Sequence, residues 1–202
     1  MQLLLHHGLS TCATNSNGRT ALHEASSQGN VDALELLLAQ NQDLISCKTP
    51  EGWTALHCAI DPFLHWKVDI AVVLLANGAD INAITKDGRT VLQLAIARNH
   101  YDSILFISYL LDNGADITAI YNEGRVDDSY AVSKDPASMV LQEARVVGQV
   151  GDSLLHLAVD TQRINLESIN TLRLLLDRGL DLESRDIQGR TPVLRPADYG
   201  RE

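Results

Sequence analysis

A glycine pattern recurs along this chain and constrains its fold more strongly than any local signal. Each of these glycines is followed two residues later by a hydroxyl side chain, and four of the five also have leucine at plus four and alanine at plus seven. A repeated frame of this length predicts a stack of similar supersecondary units. The turn glycines are separated by 34, 36, 63 and 38 residues and stand at Gly18, Gly52, Gly88, Gly151 and Gly189.

Two helices per repeat are predicted from the residues around these glycines. The hydroxyl residue after each turn, such as Thr20 or Thr54, is a favourable N-cap for a first helix. The second helix ends at a residue suited to a left-handed C-cap, which is Gly8, Gly78, Gly114 or Gly179, with Asn41 in the first full repeat. Its apolar residues have helical spacing, as in Val31, Leu34, Leu37 and Leu38, or in Ile169, Leu172, Leu175 and Leu176.

Two segments, Thr-Ala-Leu-His-x-Ala at 20–25 and 54–59, resemble the Thr-Pro-Leu-His-x-Ala signature of the ankyrin-repeat family. The resemblance covers nearly the whole chain. It implies an all-α solenoid of helix-turn-helix units with short β-hairpin turns. It also implies that the recurring histidines His23, His57 and His156 tie each turn to its neighbours. Gln93 stands at the histidine position in the repeat that follows Gly88, where this tie is left open.

The resemblance implies a single array over residues 1–202. Because Met1 opens inside a predicted second helix, we expect either a fragment of a longer protein or an array closed by unusual half-repeats. The frame divides the chain into a partial repeat at 1–16, full repeats at 17–50, 51–86, 87–122 and 151–186, and a partial repeat at 187–202.

Residues 123–150 interrupt this frame. The expected threonine and leucine are replaced there by Val126 and Asp128. The composition predicts a locally unstable loop at 125–135 and a short helix at 136–147. A degenerate repeat is the favoured interpretation, and a dedicated inserted segment is the alternative.

Composition and motifs argue against catalytic, membrane and nucleic-acid roles. The net charge of −10 disfavours extended contact with phosphates. The longest apolar run is far below the roughly 20 residues that span a bilayer. The chain has no dinucleotide, phosphate-binding or zinc-protease motif, and we expect no enzyme activity, cofactor or metal. Three cysteines without paired spacing and the absence of a glycosylation sequon favour the cytosol or nucleus.

Three functions from different classes are consistent with this sequence. The favoured one is a protein-interaction scaffold, which the resemblance implies binds through hairpin tips and first helices. A second is a recruiting or autoinhibitory region of a larger enzyme or signalling protein. A third is nucleotide or oligonucleotide binding by a tip tryptophan beside basic residues, which the acidic composition argues against. A monomer is expected, and the sequence does not identify the partner.

The expected partner-binding residues lie at the turns and near the ends of the first helices. Because tryptophan and arginine often dominate interface energetics, Trp53 and Arg89 are expected to contribute most, with little effect on folding when they are replaced. The full expected set is Arg19, Glu51, Trp53, Asp61, Lys86, Asp87, Arg89, Arg98, Asp152 and Arg190.

Overall fold

The computed structural model describes residues 13–60, 68–98, 103–119, 153–159, 166–186 and 188–193. Within these ranges the regular structure is helical, with one isolated bridge between Thr14 and Thr20. The chain divides into two compact units, Met1–Lys86 and Asp87–Glu202. The α-helices are α1 (Ala21–Ser27), α2 (Val31–Gln40), α3 (Ala55–Cys58), α4 (Val68–Ala76), α5 (Val91–Arg98), α6 (Ser103–Asp112), α7 (Leu154–Val159) and α8 (Leu166–Asp177), and a 3-10 helix spans Gln42–Ser46.

The predicted helix starts are confirmed. Helices α1, α3, α5 and α7 each begin one residue after their hydroxyl residue. The Thr54 hydroxyl accepts a hydrogen bond from the amide of His57 at 3.4 Å. The Thr90 hydroxyl accepts one from the amide of Gln93 at 3.2 Å. These bonds satisfy amides that a helix start leaves without an intrahelical partner.

Glycine ends three of the second helices as predicted. At Gly78 the backbone φ is +85°, and its amide donates to the carbonyl of Leu75 at 3.0 Å. Gly114 and Gly179 end α6 and α8 in the same way. The prediction for Asn41 is wrong, because its φ is −152°, in the extended region. Its side chain instead accepts from the amide of Asp43, so Asn41 caps the following 3-10 helix.

Unit Met1–Lys86 is built by helix stacking. Helix α1 packs on α2 and α3, and α4 packs on α2 and α3. The interior is aliphatic: Leu22, Leu34, Leu56 and Leu74 are all 0% exposed. Burial of one such side chain contributes about 1.5–3 kcal/mol to stability. The Leu-rich spacing in the sequence therefore specifies both the helices and the surface on which they stack.

In unit Asp87–Glu202, two helix pairs stack directly on each other. Helix α5 packs on α7, and α6 packs on α8. An ion pair of 2.7 Å joins Arg178 Nη2, just after α8, to Asp112 Oδ1 at the end of α6. In the described part of this unit, no other repeat separates these two pairs. Whether 123–150 is a degenerate repeat or an inserted segment stays a prediction, because these residues lie outside the description.

The loop predicted at 125–135 and the helix predicted at 136–147 lie outside the described residues.

Candidate functional site

The hairpin tips are the six residues before each helix-start hydroxyl, at 14–19, 48–53, 84–89 and 185–190. In the first tip the Asn15 amide donates to the carbonyl of Arg19 at 2.9 Å. The Asn15 side-chain oxygen accepts from the amides of Asn17 and Arg19, each at 3.0 Å. Side-chain oxygens of this kind fold a turn around themselves and fix its conformation. The tip is therefore a turn that is closed by hydrogen bonds.

The same hydrogen-bonded turn occurs at two other tips, with a different side chain as the acceptor. The Thr49 hydroxyl accepts from the amides of Glu51 and Trp53 at 3.3 and 3.2 Å. The Asp186 carboxylate accepts from the amides of Gln188 and Arg190 at 2.8 and 2.9 Å. Our sequence reasoning missed this role. Its signal is an Asn, Thr or Asp three residues before the turn glycine, as at Asn15, Thr49 and Asp186.

Burial and hydrogen bonding shift the pKa of Asp186 in opposite directions. Burial alone would raise the pKa of its carboxyl group. Hydrogen bonds from the backbone and side chain of Arg190, and from the amide of Gln188, outweigh burial and lower this pKa below its ordinary value. The carboxylate is therefore kept charged, as its role of double acceptor in the turn requires.

Histidine links one tip to the next repeat. The Thr20 amide donates to His23 Nδ1 at 3.2 Å, so the ring proton lies on Nε2. That nitrogen donates to the carbonyl of Trp53, in the following tip, at 3.1 Å. His156 Nε2 is likewise 3.0 Å from the carbonyl of Arg190. These contacts agree with the tie that the resemblance implied.

Gln93, at the position of these histidines, makes comparable hydrogen bonds by a different chemistry. Its side-chain oxygen accepts from the Thr90 amide at 2.8 Å, and its amide nitrogen donates to the carbonyl of Ala119 at 3.3 Å. A primary amide carries an acceptor and a donor, as the neutral imidazole does. The bond to Ala119 corresponds to the bond from His23 to the carbonyl of Cys47 in the same repeat, and the tie from Gln93 to a following tip stays a prediction.

The hydrogen bond to Ala119 locates the point along the sequence at which the repeat pattern is interrupted. His23 also hydrogen-bonds the carbonyl of Cys47, which lies seven residues before Thr54. Ala119 receives the equivalent bond, but it lies 34 residues before Ser153, the next helix-start hydroxyl. The chain therefore has 27 additional residues at the position of the fourth hairpin tip. The sequence signal was the small residue that stands seven positions before the hydroxyl in the four other repeats, at Ala13, Cys47, Ala83 and Ser184.

Two glycines allow the tips of unit Met1–Lys86 to approach closely. A Cβ atom at Gly18 would lie 2.3 Å from Pro50 Cδ. A Cβ atom at Gly52 would lie 2.8 Å from the backbone nitrogen of Lys86. The amide of Lys86 donates to the carbonyl of Glu51 at 2.9 Å. Successive tips in this unit are thus in direct backbone contact.

The three tip arginines expected to bind a partner are engaged in local ion pairs. Arg19 Nε lies 3.3 Å from Glu24 Oε1, and Arg89 Nε lies 2.9 Å from Asp87 Oδ2. Arg190 Nε lies 2.8 Å from a carboxylate oxygen of Asp186. These contacts hold the guanidinium groups of Arg89 and Arg190 against their own tips and that of Arg19 against helix α1.

Trp53 and Arg89 do not project from the tips as expected. Trp53 is 4% exposed, and its ring lies over that of His57 with a centroid distance of 6.0 Å. Arg89 is 8% exposed. Because a buried side chain contributes to packing, we expect their replacement to lower stability, in place of the small effect on folding expected from the sequence.

The other expected site residues are more exposed or fall outside the description. Lys86 is exposed, whereas Glu51 and Asp87 are half-buried. Lys48, which our sequence reasoning did not single out, is also exposed and donates from Nζ to the carbonyl of Ile84 at 3.4 Å. Asp61, Asp152 and the side chain of Arg98 lie outside the described residues.

No group of three or more His, Cys, Asp and Glu side chains in the described part of the chain could hold a metal ion. None of the described helices combines the length and the apolar character needed to cross a bilayer.

The neutral state of His23 predicts a pH dependence of stability. Burial lowers the pKa of His23 below 6.5, and the nearby charge of Arg19 acts in the same direction, against the hydrogen bonds to Trp53 and Cys47. The unfolded chain then binds the proton more readily than the folded chain. The contribution of neutral His23 to stability is complete above pH 6.5 and is lost as the pH falls below that value.

We expect His23→Gln to weaken this loss of stability, because Gln93 shows that a glutamine at this position can accept from the helix-start amide and donate to a backbone carbonyl, and glutamine does not titrate. Denaturant unfolding at neutral and mildly acidic pH measures the difference. One proton can change the slope by at most about 1.4 kcal/mol per pH unit. Identical pH slopes for the two proteins would contradict the prediction.

Comparison with known proteins gives a consistent result. A family model for ankyrin repeats (3 copies) matches residues 1–84, 45–121 and 64–186. Ankyrin repeat and SOCS box protein 3 from Homo sapiens is 36% identical over 85 residues, which cover 41% of this chain and 16% of that protein. The protein of the same name from Bos taurus is 38% identical over 85 residues, with the same coverage. The match thus spans about a sixth of the length of these relatives.

Proposed function

The chain belongs to the ankyrin-repeat family, and from this premise we propose that it is a protein-interaction scaffold that binds a protein partner through its hairpin tips and first helices. Ankyrin repeats are in general protein-interaction modules, and the all-α repeat fold expected for them agrees with the helices described above. The proposal assigns the chain a binding role and no catalytic one.

One observation carries the proposal. The hairpin tips are fixed by turn bonds and by links to the next repeat, while particular side chains on them remain exposed. A rigid frame loses little conformational freedom when a partner binds, and this favours affinity. The exposed tip side chains include Asn17, Lys48, Lys86 and Gln188.

These exposed side chains replace the buried ones in the proposed site. Arg19, Arg89 and Arg190 then support the tips through their ion pairs. Lys48 and Lys86 lie on successive tips of one unit and both present an ammonium group. We place the partner contact there and at Asn17, with Glu51 beside it.

The alternative functions differ in their support. Nucleotide binding required an accessible tip tryptophan for base stacking, and Trp53 is 4% exposed. A role within a larger protein is compatible with a match that covers 16% of each relative. We propose a cytosolic or nuclear location for the chain on the cysteine and sequon arguments given above.

Photo-crosslinking tests the proposal. A benzophenone amino acid is placed at Lys86 or at Asn17, and at Glu35 as the control, since Glu35 is exposed on α2, away from the tips. The proposal expects one protein to be captured from cell extract at both tip positions and not at Glu35. Capture of the same protein only at Glu35, or no protein at any position, would contradict it. Lys86→Ala should then weaken binding of the captured protein by about tenfold without changing stability.

A further inference from the structure

Three tip side chains of unit Met1–Lys86 share an outward direction. Along residues 82–86 exposed and buried side chains alternate, as they do in extended backbone. Ile84, which is 52% exposed, and Lys86 therefore lie on the same outer face. Lys48 holds the position of Ile84 in the preceding tip, six residues before the helix-start hydroxyl. It is exposed although another tip follows it, so this position faces outward in the stack.

Hydrogen bonds bring these three residues together across the two tips. The Lys48 ammonium group donates to the carbonyl of Ile84 at 3.4 Å. An ammonium group has three donors, so this bond leaves two of them for another acceptor. The backbone amide of Lys86 donates to the carbonyl of Glu51 at 2.9 Å, which holds the tips side by side. The surface therefore combines one exposed apolar side chain with two lysines next to it.

Charge is unevenly distributed over this unit. At the tips, Glu51 is half-buried, and the acid next to Lys86 in sequence, Asp87, lies 2.9 Å from Arg89. Among the described residues, no acid forms an ion pair with Lys48 or Lys86. The tips thus present positive charge in a chain whose net charge is −10. Exposed acids of the unit lie on its second helices or shortly after them, at Asp32, Glu35, Asp43, Asp69 and Asp80.

A surface of this kind favours a partner with the opposite charge. Carboxylates could accept hydrogen bonds from both ammonium groups, and complementary charge of this kind selects among partners. An apolar side chain of the partner would remove the exposed part of Ile84 from water. A nucleic acid is also negative, but its phosphates beyond these two lysines would meet a chain with a net charge of −10. The observations therefore favour a protein partner.

We propose that the partner segment bound at these tips is an acidic stretch of protein chain with an apolar side chain between its carboxylates. The carboxylates contact Lys48 and Lys86, and the apolar side chain contacts Ile84. The inference rests on the proposed function, because it names the chemistry of the partner at the same tips. Our sequence reasoning did not single out Ile84, which here selects acidic segments that also carry an apolar residue.

Selection from a phage library of random short peptides on the immobilised full chain tests this chemistry. We expect the enriched peptides to carry aspartates or glutamates on both sides of a large apolar residue. Their binding should weaken with added salt, because salt screens exposed charges. Enrichment of neutral or basic peptides would overturn the acidic partner and leave the scaffold function standing. Enrichment of no peptide would also overturn the inference, while capture of a protein by photo-crosslinking at Lys86 would still support the function.

Matched variants place the binding of an enriched peptide, measured by fluorescence anisotropy. Lys86→Glu should weaken it by at least about tenfold, because a carboxylate then faces a carboxylate. Arg173→Glu changes the net charge by the same amount at an exposed position of α8 and should leave binding unchanged. Ile84→Ser should weaken binding by about fivefold. Its control is Val72→Ser, since Val72 is 41% exposed on α4, away from the tips.

Each comparison has an outcome that overturns the proposal. Equal losses in Lys86→Glu and Arg173→Glu would show a general effect of net charge. Unchanged binding in Ile84→Ser would remove the apolar contact. Binding of a fluorescent oligothymidylate as tight as that of the peptide would indicate a nucleic acid instead. Because all four positions are exposed, circular dichroism should show the same helical content in every variant.

Discussion

Trp53→Ala is expected to lower the free energy of unfolding by about 3–5 kcal/mol, the usual cost of removing a buried aromatic side chain. Trp53 is 4% exposed, and its ring packs over His57. Its backbone carbonyl also accepts hydrogen bonds from Thr49 and His23. A cavity at this position would therefore loosen a tip that two repeats share.

Urea unfolding followed by circular dichroism measures this effect. Lys86→Ala is the control, because Lys86 is exposed on the next tip and its removal should change stability by no more than about 0.5 kcal/mol. Equal stabilities of the two variants would show that the tryptophan is not part of the core. A loss of binding in Trp53→Ala alone is consequently no evidence of a direct contact.

Gly52→Ala is expected to lower the free energy of unfolding by about 3 kcal/mol, from two separate causes. Gly52 has a φ of +82°, which disfavours any side chain. Its added Cβ atom would also lie 2.8 Å from the backbone nitrogen of Lys86, whose amide donates to the carbonyl of Glu51. Backbone in contact with backbone cannot move aside as the end of a flexible side chain can.

Gly78→Ala separates these two causes. Gly78 has a similar φ of +85°, but an added Cβ atom would meet nothing within 4 Å. We expect it to cost only the conformational part, about 1–2 kcal/mol. The difference between the two variants in denaturant unfolding therefore measures the close approach of successive tips. A difference of zero would contradict that approach.

The helical frame could be predicted from the sequence because its signals are local. Threonine at a helix start and glycine at a helix end act on their own turn of backbone, and both occur where they were predicted. Asn41 departed from the pattern because the following residues form a 3-10 helix, which its side chain caps instead. Helix starts and ends could therefore be predicted from the sequence wherever they depend only on the next few residues.

The site was harder to predict because exposure depends on neighbouring repeats. Trp53 has the residue type of a binding hot spot, but it becomes part of the core when the tips stack. Gln93 did not match the histidine pattern, although its amide offers the same donor and acceptor. Spacing alone also could not decide whether 123–150 was a degraded repeat or an insertion, since that depends on which helices pack together.

Helix α5 packs on α7 and α6 packs on α8, and we expect this stacking to need none of the 27 additional residues that follow Ala119. The direct test replaces residues 120–152 by the six residues found at 185–190, which restores a tip of ordinary length. Because shortening a loop lowers the entropy cost of folding, the free energy of unfolding should stay the same or rise by about 1 kcal/mol, with helical content retained. A loss of several kcal/mol, or of the helices α7 and α8, would contradict the claim.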